Sequence, residues 1–121
     1  MNINIKGTNI ELTEAITNYI YDKLESVKKV LTDVEGTYVH VEVGRISRHH
    51  AKGDVFKAEF EVKSQGVSHY AHINTEDLYS AIDMVKDEIV EKIKSHKSKN
   101  RSHFLKGAQK AKKLLRDVLH K

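Results

Sequence analysis

Apolar residues recur along this chain at two different spacings, and the alternation between the two marks out its elements. Leu78, Ile82, Val85, Ile89 and Ile93 follow one another at intervals of four, three, four and four residues, the spacing of one helix face. At about 100° per residue, these five side chains fall within a sector of roughly 80°. The pattern predicts a helix within residues 74–101. Thr75 stands where its hydroxyl would cap the first turn, and Glu76 and Asp77 put negative charge at the positive end of the helix dipole. Ile16, Ile20, Leu24, Val27 and Leu31 predict a second helix from Glu14 to Leu31, with Thr13 as its N-cap.

Elsewhere the period is two. Ile3 and Ile5 alternate within Asn2–Lys6, Val39, Val41 and Val43 within Thr37–Val43, and Phe56, Ala58, Phe60 and Val62 within Phe56–Val62. Val67–Ile73 completes the set, entered from a short turn at Ser64–Gly66. Residues 44–54, GRISRHHAKGD, are too long for a tight hairpin. The predicted order is β-α-β-β-β-α, and the fold class is α+β. Such elements pack most simply as a four-stranded sheet with both helices on one face and a polar face opposite, like a double-stranded-RNA-binding domain. A chain of 121 residues suits one such domain over 1–101, followed by a basic tail over 102–121. Phe104, Ala108, Ala111, Leu115 and Val118 would extend the last helix through that tail, although Gly107 and the many lysines oppose it.

Charge changes the picture. The formal net charge is only +4, but residues 76–91 carry −5 and residues 92–121 carry +10. A block this basic is the electrostatic footprint of a polyanion binder, because each neutralised phosphate releases condensed counterions. The plainer alternative is a solvated tail that only keeps the protein soluble. Lys86, Lys94, Lys97 and Arg101 share a stripe about 100° round the helix from its apolar face.

Little else offers chemistry. The chain has no cysteine, which excludes a disulfide framework, a thiolate metal site and a thiol nucleophile. Of its eight histidines, His49 and His50 are adjacent in a loop, and His69 and His72 are three apart in a predicted strand, so the latter two point to opposite faces. No zinc site is expected from that spacing. Glu59 and Glu61 share a strand face, which is the ordinary outcome on a polar sheet surface. No phosphate-cradling glycine loop or nucleophile elbow is present. Neither catalysis nor a cofactor is expected, and no small-molecule substrate. Tyr38 and Tyr70 could stack on bases if the polar sheet face were the binding face. The opening MNINIKG lacks the regions of a signal peptide, and no apolar run approaches about 18 residues, so a soluble, cytoplasmic protein without membrane contact is expected.

Three segments, IELTEAITNYIYDKLESVKK, RHHAKGDVFKAEFEV and EDLYSAIDMVKDEI, together with the β-α-β-β-β-α order that joins them, resemble the ribosome hibernation promoting factors. These are also called ribosome-associated inhibitors, or sigma-54 modulation and ribosomal subunit interface proteins. The resemblance covers roughly residues 1–100, and Glu76-Asp77-Leu78-Tyr79-Ser80-Ala81-Ile82-Asp83 is its most specific piece. It implies a bacterial protein of the short type that binds 16S rRNA of the small subunit, in the 30S particle or the 70S ribosome, near the decoding centre. Messenger and transfer RNA would otherwise lie there, and translation would stop under stress or in stationary phase by occupancy. Long members continue into a second domain that pairs ribosomes by homodimerisation, and 121 residues leave no room for one, so a protein monomeric off the ribosome is expected. Lys23, Lys29, Lys94, Lys97 and Lys99 match positions commonly basic in the family. With Lys86 and Arg101 they form the expected RNA contacts, and Arg45, Arg48 and Lys52 form a secondary loop. Glu88 and Glu91 stand where many members carry Lys or Arg.

Overall fold

The computed structural model describes residues 1–46 and 53–119, leaving aside the side chains of residues 102–103 and 117–119. The elements run β1 (Asn2–Thr8), α1 (Glu14–Val30), β2 (Tyr38–Ile46), β3 (Val55–Ser64), β4 (Val67–Thr75) and α2 (Leu78–Leu119). The order is the one the hydrophobic pattern predicts. Each strand runs two or three residues past its clearly alternating stretch, because ladder pairing continues where alternation has faded.

The strands form one four-stranded sheet in the order β1-β2-β3-β4, parallel between β1 and β2 and antiparallel elsewhere. The register places Val41 opposite Ile5 and Phe60, with Phe60 in turn opposite Ala71, so one face is apolar across all four strands. Both helices cover that face. Ile16, Ile20, Leu24 and Val27 of α1 join Leu78, Ile82, Val85, Ile89 and Ile93 of α2 and the inward strand residues in one core. Burial of this apolar surface is the main driving force for the arrangement. The core ends at Ile93, and the remainder of α2 projects past it.

Two turns and two caps fix the ends. Gln65 and Gly66 both have positive φ, 51° and 75°, the conformation of a two-residue I′ hairpin between β3 and β4. Thr13 caps α1 as expected, accepting from Ile16 N at 3.2 Å. At α2 the expectation is corrected by one turn chemistry. Asp77, not Thr75, is the N-cap, with Oδ2 accepting from Ser80 N at 3.1 Å and from Ser80 Oγ at 2.8 Å. Thr75 instead closes a small turn, its Oγ1 accepting from Asp77 N.

Candidate nucleic-acid interface

Ten basic side chains are expected to touch RNA, and the structure divides them by whether their charge is already engaged. Lys23 lies at the junction of α1 and α2, with Nζ 3.1 Å from Asp83 Oδ1 and 4.9 Å from the centre of the Tyr19 ring. The Tyr19 hydroxyl donates to the same carboxylate at 2.7 Å, and Tyr19 packs edge-on against Tyr79. The Tyr19 hydrogen bond is the main cause of the lowered Asp83 pKa, and the bond to Asp83 is the main cause of the raised Lys23 pKa. Lys86 is half-buried and pairs with Asp87 at 2.5 Å. Arg45 lies 3.9 Å from Asp54 and covers the Phe56 ring. Arg48 and Lys52 lie outside the described residues, as do His49 and His50.

The others are differently placed. Lys29 is exposed in the last turn of α1. Lys94, Lys97, Lys99 and Arg101 are exposed on α2, and among the described residues none of these five pairs with a carboxylate. Lys97 and Arg101 line a cleft shared with Leu31 and Thr32 at the end of α1. Lys99 lies on the other flank, beside β4 with Lys92 and Tyr70. Lys92 is already engaged on that flank. It pairs with Glu88 at 3.6 Å and donates to the Tyr70 carbonyl at 2.5 Å. Glu91 is exposed.

The outer sheet face is charged but internally compensated. Glu42 accepts from Lys57 at 2.9 Å and from Thr8 Oγ1 at 3.1 Å, with Lys6 3.6 Å away. Lys63 pairs with Glu61 at 3.1 Å, and His72 stands 3.9 Å from Glu59. Tyr38 and Tyr70 are exposed on this face. The free positive charge therefore belongs to the helix side and to the end of α2. Among the described residues, no group of three or more His, Asp or Glu side chains is arranged to hold a metal ion. Nor is any helix among them long and apolar enough to cross a membrane.

His96 and Asn100 were not expected at this surface. Both line the same cleft as Lys97 and Arg101, and Asn100 Nδ2 lies 3.1 Å from His96 Nε2. The signal was available, because they continue the intervals of Ile89 and Ile93 at the helix face that turns toward the sheet.

The small α+β domain thus has a sheet surface that is largely self-neutralised and a helix surface whose exposed cations are unpaired among the described residues. The chain belongs to the family described as Sigma 54 modulation protein / S30EA ribosomal protein, which it matches over residues 3–101. It is 36% identical over 101 residues to a ribosome hibernation promotion factor of Picosynechococcus sp., covering 83% of this chain and 51% of that one. It is 29% identical over 108 residues to a ribosome hibernation promoting factor of Pseudomonas putida, covering 89% of this chain and 97% of that one. The chain thus spans about half the length of the first relative and nearly all of the second. Among solved structures, the Thermus thermophilus Protein Y N-terminal domain superposes with a TM-score of 0.65 at 26% identity, covering 79% of this chain and 99% of that domain. A ribosomal subunit interface protein from Coxiella burnetii has the same fold, with a TM-score of 0.66 at 16% identity over 81% of this chain and 99% of its own.

Proposed function

We propose that this chain is a ribosome hibernation factor that binds 16S rRNA in the messenger and transfer RNA channel of the small subunit and represses translation under stress. It acts by occupancy as a cytoplasmic protein, monomeric off the ribosome, with residues 1–101 as the ribosome-binding domain. Residues 102–121 form a basic extension that adds affinity. The observation that carries this reading is the set of exposed cations Lys94, Lys97, Lys99 and Arg101 on the two flanks of α2 beyond its last buried turn, unpaired among the described residues. Structured RNA is held largely through phosphates and 2′-hydroxyls by shape, which calls for placed cations on a rigid platform. Lys29 extends the same surface from α1, while Lys23 and Lys86 contribute to it less, because each already answers a carboxylate. The relatives, named ribosome hibernation factors, support the ribosome as the partner.

Co-sedimentation with purified 30S and 70S particles across a salt series, run beside a translation assay, tests the reading. Saturable binding near one copy per ribosome, with translation falling in step, is expected. Binding to free duplex RNA as tightly as to ribosomes, with translation unaffected, would replace it with a general structured-RNA binder.

A further inference from the structure

The cleft at the end of the sheet has features that general phosphate contact leaves unused. It encloses about 440 Å³ between α2, the end of α1 and the β3–β4 turn, within the roughly 300–1,000 Å³ typical of small-ligand sites. Its floor is apolar, formed by Leu31, Val67 and Ile93. His69 and His96 meet there edge-to-face, with ring centres 5.5 Å apart. Among the described residues, no Asp or Glu lines it.

The rim is ordered by helix geometry. His96 and Asn100 form one row at i, i+4, and Lys97 and Arg101 form the next row, one residue on. The first row presents an imidazole and an amide, groups that stack on a base and bond its edge. The second presents two cations that are unpaired among the described residues. Burial lowers the His69 pKa, and the charges of His96 and Lys92 lower it further, so its ring is neutral near pH 7 and can pack as an apolar surface. A second cleft of about 400 Å³ lies across the same histidine pair, beside Lys92 and Lys99. A strand leaving the first cleft would meet further positive charge there.

We propose that this cleft receives a single unpaired RNA nucleotide, its base on the apolar floor against His96 and its phosphate at Lys97 and Arg101. The inference rests on the RNA-binding reading above and deepens it. Shape recognition of paired RNA leaves no base free to enter such a cleft, whereas a bulged or splayed nucleotide can be unstacked onto protein rings.

The test uses the full chain and two fluorescein-labelled RNA hairpins, one fully paired and one with a single-nucleotide bulge, followed by anisotropy. Free AMP and inorganic phosphate are titrated separately, with His69 and His96 ring resonances as the readout. The bulged hairpin should bind about tenfold more tightly than the paired one. In His96→Ala and in Asn100→Ala that ratio should fall toward one, while His96→Phe, which keeps a ring, should retain most of it. Binding of the paired hairpin by the same variants shows that they are folded. Equal affinity of the wild type for the two hairpins overturns the proposal and leaves the RNA-binding reading standing. Loss of binding to both hairpins overturns both. Ring shifts with AMP but no bulge preference would assign the cleft to a free nucleotide and overturn the RNA source. Shifts with inorganic phosphate alone would reduce it to an anion site.

Discussion

Glu42 shows how tightly the outer sheet face is neutralised. Its carboxyl is held at about 2, against an ordinary 4.5, chiefly by the hydrogen bond from Lys57. Burial works against this, and the bond from Thr8 adds to it. A lowered folded-state pKa contributes stability that is complete above 4.5 and is lost as pH falls toward about 2. Glu42→Gln should therefore unfold about 1–2 kcal/mol more easily than the wild type at pH 7 in urea titrations. The difference should close as pH falls from 4.5 to about 2. Gly44 is a second constrained residue, limited by space rather than charge. A Cβ there would stand 2.5 Å from the Thr8 carbonyl oxygen, where the parallel pair of β1 and β2 ends. Gly44→Ala should cost about 1–3 kcal/mol of stability, read as a lower Tm, because a backbone atom cannot step aside as a side chain can. Neither fact is visible in the sequence. Glu42 looks like any outward strand carboxylate, and a glycine in a strand does not say what approaches it.

At the scale of elements, periodicity did most of the work. The apolar stripe of α2 was legible because five branched aliphatics at helical spacing have no other economical use. Its start was not, since Thr75 and Asp77 are both good capping residues and only the path of the chain out of β4 selects the second. The cleft was also illegible. Its walls come from α1, the β3–β4 region and α2, segments that only the sheet order brings together. The outer part of α2 is amphipathic but uncovered, with Phe104 74% and Leu115 64% exposed, so it adds nothing to the core. Deleting residues 104–121 should leave the unfolding midpoint of the domain unchanged in a thermal melt. It should also weaken ribosome binding and flatten its salt dependence, since that segment holds Lys106, Lys110, Lys112, Lys113, Arg116 and Lys121. Unchanged affinity and salt slope would remove the extension from the binding surface.

Over the whole molecule, charge is sorted by surface rather than by sequence block. The sheet face holds paired charges, the α1–α2 junction holds Lys23 against Asp83, and the projecting end of α2 holds most of the expected contacts that are unpaired among the described residues. On the proposed reading, Asp83 thus withholds one cation from the binding surface. Asp83→Asn should free Lys23 and steepen the plot of log affinity for ribosomes against log salt by up to about one unit. An unchanged slope would mean that Lys23 is a structural residue only. The sequence offered the sum of these charges but not their pairing, because Lys23 and Asp83 lie 60 residues apart. The length of α2 has a mechanical consequence. From Ile93, its last buried residue, to Leu119 the helix extends roughly 39 Å at 1.5 Å per residue. A helix anchored at one end works as a ruler: whatever surface seats the domain also limits the distance at which the far tip makes contact. Gly107 lies near its midpoint, at the weakest link of the rod.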